Sequence, residues 1–115
     1  MKIKKRKVPR PFVVGMKKKL IIKDMGEVYL APNEQLTFIT ESKKKYDLAR
    51  KDWGFYATPS VNSRLKKEGF KTAVVKNQLK RIFVMVVEKK KIQKFKKYCK
   101  DQNQEILFWL DEYIN

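Results

Sequence analysis

The stretch TPSVNSR, residues 58–64, gathers Thr58, Ser60, Asn62, Ser63 and Arg64 within two turns of a helix. Hydroxyls, an amide and a guanidinium set around a helix N-terminus can hold a phosphate, sulfate or carboxylate. The backbone N–H groups there lack intrahelical partners and sit at the positive end of the dipole. The same residues are also an ordinary way to begin a helix, with Thr58 as N-cap and Pro59 at the first helical position. No glycine-rich loop precedes them. Both readings, helix start and small-anion pocket, stay open.

A second constellation is purely electrostatic. The chain holds 29 Lys and Arg against 12 Asp and Glu, a formal charge of +17. Residues 1–23 contain ten of those bases and no acid. Lys2, Lys4, Lys5, Arg6, Lys7 and Arg10, then Lys17, Lys18 and Lys19, are the polyanion-binding candidates. A chain this cationic attracts RNA, DNA or an anionic membrane surface. The competing reading is compositional: lysine codons are A-rich, and an AT-rich genome adds lysine to solvated surfaces. Arginine, which favours base readout and bidentate phosphate contacts, is scarce.

Aromatic residues form a third set. Trp53, Phe55 and Tyr56 alternate across both faces of a short β segment, so one of them faces away from a core. Exposed aromatics on an open sheet face stack single-stranded bases. Phe83, near Lys80 and Arg81, offers a second stacking position, although its segment reads as core and lacks the glycines of the RNA-recognition motif. Tyr46, Asp47 and Arg50 lie beside the strand that begins at Trp53, and the Asp47–Arg50 spacing suits a local ion pair.

Other chemistries are excluded by inventory. There is no histidine and a single cysteine, Cys99. Triads, histidine-based metal sites, zinc sites and dithiol redox pairs are therefore ruled out. The carboxylates are scattered, and the only adjacent pair is Asp111-Glu112. No catalytic residue, metal or cofactor is expected. No apolar run nears the roughly 18 residues of a membrane span. The apolar part of the basic leader, residues 12–16, is too short for a secretory signal. A lone cysteine makes no internal disulfide. The cytoplasm is the expected location.

Positioning these groups requires one domain of α+β class. Residues 1–11 read as a basic flexible tail, interrupted by Pro9 and Pro11. Residues 12–115 read as a single α+β domain. It opens with a β meander over 12–40: strands near 20–22, 27–30 and 35–40, with turns at Asp24-Met25-Gly26 and Ala31-Pro32-Asn33-Glu34. Residues 42–45 read as a solvated loop. Over 53–110 the expected order is strand 53–57, a helix of about ten residues from Pro59 to Gly69, strand 70–76, strand 81–88, helix 89–102 and strand 105–110. The run RIFVMVVE, residues 81–88, is apolar at six consecutive positions, which fits a strand buried on both faces at the centre of a sheet. Residues 111–115 close the chain as a short terminal piece. This β-α-β-β-α-β order is ferredoxin-like, with two helices on one face of an antiparallel sheet. A mixed sheet continuing the meander is the competing architecture. Whether residues 12–40 cover the open sheet face is undecided, as is the oligomeric state.

The stretch YDLARKDWGFYATPSVNSRLKKEGFKTAVVKN, with RIFVMVVEKKKIQKF after it, resembles a family of short uncharacterised bacterial proteins that share a DWGFYATPSVN-like core. The resemblance spans roughly residues 46–110. It implies a similarity to small accessory proteins encoded beside surface-sugar biosynthesis genes, and it carries no site residues with it. Two functions follow. The first is a small non-catalytic cytoplasmic binding protein engaging an anionic partner such as RNA. The alternative is an accessory or regulatory protein of surface-sugar biosynthesis that binds a small phosphorylated or carboxylated metabolite or an enzyme partner.

Overall fold

The structure is a computed structural model and describes residues 1–113. It is α+β, with eight strands in three antiparallel sheets and two α-helices. The chain divides into two compact units rather than one: Met1–Gly15 with Lys19–Thr58, and Met16–Lys18 with the chain from Pro59 onward.

The first unit begins with a long hairpin of β1 (Lys2–Val14) and β2 (Leu20–Tyr29). Its register runs from Lys2 opposite Tyr29 to Val14 opposite Leu20, and shifts between Lys5 and Arg10. Residues 1–11, expected as a loose tail, are thus mostly strand. Both prolines fall on a strand with one paired edge, and the shift at residues 6–9 absorbs Pro9, which has no N–H for a ladder. Segments 20–22 and 27–30, expected as two strands about a turn, are one continuous strand. Gly26 makes this possible: its φ is +137°, and a Cβ there would lie 2.1 Å from the Lys4 carbonyl oxygen. Asp24-Met25-Gly26 is a kink in a strand and does not reverse the chain.

The second sheet of this unit contains β3 (Gln35–Ile39), β4 (Lys45–Lys51) and β5 (Gly54–Ala57), in that order. The turn expected at residues 31–34 is present, with the Ala31 N–H donating to Glu34 Oε1 at 2.6 Å. Of the loop expected over 42–45, Lys45 opens β4, and residues 46–51, for which no element is expected from sequence, complete this central strand. Its alternation of Tyr46, Leu48 and Arg50 with Asp47, Ala49 and Lys51 is masked by the lysines that precede it. Asp47 and Arg50 fall on opposite faces of β4, which rules out the backbone geometry of a local pair; Asp47 accepts from Thr37 Oγ1 at 2.6 Å across the sheet.

In the second unit, β6 (Phe70–Lys76) lies between β7 (Ile82–Glu88) and β8 (Glu105–Trp109). The buried core comprises Leu65, Phe70, Ala73, Val75, Val87 and Cys99. Helix α2 (Ile92–Asp101), preceded by a 3-10 turn at Lys89–Lys91, packs Phe95 edge-on against Trp109 at 5.8 Å. Its stripe of Ile92, Phe95, Tyr98 and Cys99 is the face turned inward.

Two expectations are corrected here. The apolar segment 82–87 is not the central strand. β7 is an edge, and Ile82, Phe83 and Val84 are exposed. The centre is β6, whose Thr72, Ala73 and Val75 are all buried. An unbroken apolar run has no period, so it cannot tell edge from centre. Nor does the ferredoxin-like sheet form. The elements from β5 follow the β-α-β-β-α-β order along the chain, yet β5 hydrogen-bonds to β4, leaving β6 with only β7 and β8.

Helix α1 covers only Arg64–Lys67. Residues 60–63 form a turn closed by the Leu65 N–H on the Ser60 carbonyl at 2.9 Å. Val61, Asn62 and Ser63 have low helix propensity, which shortens the expected ten residues. Gly69, at φ +96°, ends the helix. At the C-terminal end, Leu110–Glu112 is a 3-10 turn, and Ile114 and Asn115 of the expected terminal piece lie outside the described residues.

Candidate nucleic-acid interface

The structure sorts the nine basic candidates into three groups. Lys2, Lys4, Lys5 and Lys7 stand exposed on β1. Lys2 and Lys4 share a face with Tyr29, and their Nζ atoms lie 5.9 and 5.4 Å from its ring centroid. Tyr29 in turn donates to Glu27 Oε2 at 3.1 Å, and this bond raises its phenol above the ordinary range. Arg6 and Arg10 form a second group, converging on Asp24 at 3.4 and 3.1 Å. The Gly26 N–H, then these guanidiniums, hold the Asp24 carboxyl below its usual range. Much of their charge is therefore spent within the hairpin.

Lys17, Lys18 and Lys19 are divided between units. Lys17 and Lys18 belong to the second, where Lys17 donates to Asn103 at 3.3 Å and Lys18 pairs with Asp101 at 3.3 Å. Gln102 is buried and donates to the Lys18 carbonyl at 2.7 Å. These contacts make Lys17 and Lys18 part of that unit's own packing. Lys19 is exposed in the first.

Beside the hairpin lysines the first unit has an open hollow of about 350 Å³. Ile3, Met25, Val28 and Phe38 supply its apolar lining, with Lys4 and Lys5 among the other residues around it. The aromatic set is also exposed. Trp53, 69% accessible, occupies the β4–β5 turn and stacks on Tyr56 at 6.0 Å. Phe55 lies opposite Arg50 on the other face. Phe55 and Tyr56 take opposite faces as alternation expects, but Trp53, expected to open the strand on the face of Phe55, lies in the turn and stacks on Tyr56 instead. The hollow was not legible, because it joins Ile3 to Phe38 across two sheets.

The small-anion candidates are less concentrated. Thr58 belongs to the first unit, where its hydroxyl donates to Gln35 Oε1 at 2.7 Å and its N–H to the Asp47 carbonyl at 3.2 Å. Ser60 and Arg64 meet through a cap, the Arg64 N–H donating to Ser60 Oγ at 2.9 Å. Asn62 and Ser63 are exposed, and the Ser63 side chain makes no cap hydrogen bond. A helix of four residues aligns few N–H groups toward a ligand.

One cluster escaped sequence reasoning altogether. Asp111, 1% exposed, accepts from the Thr72 N–H at 2.9 Å and from Lys71 Nζ at 3.0 Å. Lys71 also reaches Glu112 at 2.7 Å and lies 4.9 Å from the Trp109 ring centroid. Burial pushes the Asp111 carboxyl up, but the Thr72 N–H and the ammonium outweigh it and hold the group below its ordinary value. Burial likewise opposes the Lys71 charge, and the two carboxylates overcome it, so its value is raised. Both groups stay ionised around neutral pH. This is a salt bridge that fastens the chain after β8 onto β6, not an acid–base pair poised to move a proton. Asp111-Glu112 was visible as a pair, but nothing local points to Lys71, which is 40 residues away from Asp111.

Among the described residues no three Cys, Asp or Glu side chains gather as a metal site, and no helix is long and apolar enough to cross a membrane. Fold and surface together define a basic α+β chain of two units with an exposed cationic hairpin. Compared with family models, with curated proteins and with solved structures, the chain matches none.

Proposed function

We propose that this chain is a non-catalytic binding protein for a polyanion, single-stranded RNA foremost, engaged by the β1–β2 hairpin. The observation that carries this reading is the row of Lys2, Lys4, Lys5 and Lys7, exposed on one strand beside an apolar hollow. Lysines contact phosphates and contribute affinity without reading sequence, while an apolar recess or exposed ring accepts a base face. The stacked Trp53 and Tyr56 rings add a second such surface.

The test is fluorescence anisotropy with a single-stranded RNA oligonucleotide between 50 and 200 mM salt (conditions chosen because phosphate contacts lose affinity steeply there). Replacing the four lysines by Gln should lower the slope of log K on log salt by about 3, at roughly 0.7 per phosphate on a single strand. An unchanged slope, or affinity no tighter than micromolar at the low-salt end, refutes the reading. The resemblance in residues 52–62 supports the alternative, an accessory protein of surface-sugar biosynthesis. That reading expects a nucleotide sugar or sugar acid to raise the melting temperature and the Ser60→Ala/Arg64→Ala variant to abolish the shift.

A further inference from the structure

Edge strands present unpaired N–H and C=O groups, and soluble proteins blunt them with prolines, bulges, charges or brevity. The other edges here carry such devices. β1 has Pro9, Pro11 and a register shift, and β2 bears Lys23, Asp24 and Glu27. β3 has five residues and β5 four. β8 has five, with a register shift at the Val74–Val75 step of its partner. β7 has no proline or register shift, and its one charge is the terminal Glu88, which pairs with Lys91. It pairs with β6 over seven consecutive positions without interruption and is apolar from Ile82 to Val87. Even so, Val84 is 63% and Ile82 53% accessible.

The sheet face beside this edge is apolar as well. Val84 lies opposite Val74, and Val74 opposite Phe108, giving one row of apolar side chains across three strands. Tyr113 extends it, with its ring 5.8 Å from that of Phe108. Bases flank β7 on both sides: Lys80 and Arg81 precede it, Lys89 and Lys90 follow its terminal Glu88, and all four are exposed. These charges select the occupant. A second copy pairing antiparallel along the whole strand would set Arg81 against Lys89 and Lys80 against Lys90, a like-charge clash at each end.

We infer that β7 is a docking edge for an extended segment of a partner protein. That segment alternates apolar residues along its length and carries Asp or Glu at both ends. It adds as a fourth strand beside β7, with main-chain hydrogen bonds supplying affinity, alternate side chains covering the Val84 row, and terminal carboxylates meeting the flanking bases.

The experiment uses the full chain and a synthetic peptide alternating Val with Thr between Asp-Glu ends. Binding is followed by calorimetry and by amide hydrogen exchange. The expected result is a saturable complex in which amides at residues 82–87 gain protection. Val84→Lys, a change at an exposed side chain, should weaken it at least about tenfold, as edge lysines do in natural sheets. A peptide methylated at alternate backbone nitrogens should lose binding to the unaltered chain, as should one with Lys at both ends. Equal binding by either control overturns the inference, and so does protection confined to other strands. Sedimentation showing a dimer that Val84→Lys dissolves would assign the edge to a second copy, and RNA-dependent protection of β7 would assign it to nucleic acid. Either outcome refutes the proposal.

Discussion

Replacing Asp111 should separate the two bonds its carboxylate makes. In Asp111→Ala the buried Thr72 N–H, now 2.9 Å from an acceptor, loses it, and an orphaned buried donor costs about 1–3 kcal/mol. Lys71 also loses one carboxylate but retains Glu112 at 2.7 Å. The total is therefore about 3 kcal/mol, at the low end for a broken buried pair. In Asp111→Asn the amide oxygen can still accept from Thr72, while the charge and the oxygen that accepts from Lys71 are lost, which costs about 1–2 kcal/mol. Trp109 reports on this unit, so urea unfolding is followed by its fluorescence in a Trp53→Phe background. With a slope of about 1 kcal/mol per M, the midpoint should fall by about 3 M for Ala and 1–2 M for Asn. Acid provides a second check. The folded carboxyl titrates below its unfolded value of about 3.9, so its contribution is complete above that pH and fades as pH falls through the folded value. The gap between the parent and Asp111→Asn should close below about pH 3.9. Equal shifts for Ala and Asn, or a gap that persists in acid, would refute this account of Asp111.

Two further outcomes are expected. Gly26→Ala places a Cβ against the Lys4 carbonyl and strains a positive φ by about 1–3 kcal/mol. Amide protection at residues 2–5 and 26–29 should disappear while that of β6 is retained, and unaltered exchange across the hairpin would contradict this. Cys99 is buried, and burial pushes its thiol up. Its reaction with a disulfide reagent at pH 8 should be at least about a hundredfold slower than that of free cysteine, and prompt stoichiometric labelling would show the thiol to be accessible.

Elements whose signal is local were legible in the sequence. β6 matches its expected span, residues 70–76, and α2 falls within the expected 89–102, because a short apolar segment between Gly69 and the turn at residues 77–80, and a 3.6-residue stripe, are written into the sequence. β3 lies within the strand expected near 35–40 for the same reason. What failed depends on distant partners. β1 looks like a solvated tail until residues 20–29 pair with it, and residues 46–51 carry no assignable element until strands flank them on both sides. Residues 82–87 carry the apolar content of a central strand but lie at an edge, since β8 pairs with β6 instead. For the candidate interface, the basic residues could be named but not sorted. Only the fold shows that Arg6 and Arg10 share Asp24, while Lys17 and Lys18 are held by residues about 85 positions later.

Neither unit is a continuous length of chain. The thread passes from one to the other after Gly15, returns after Lys18 and leaves again after Thr58. Cutting before Pro59 would therefore strip the later unit of the tripeptide whose carbonyl Gln102 holds. During synthesis that tripeptide must wait for a partner 84 residues further along the chain. Assembly of that unit therefore waits on the synthesis of Gln102, and sequence-distant closures of this kind are slow. Nascent chains stalled before residue 102 should thus be the form most open to proteolysis and most in need of a chaperone.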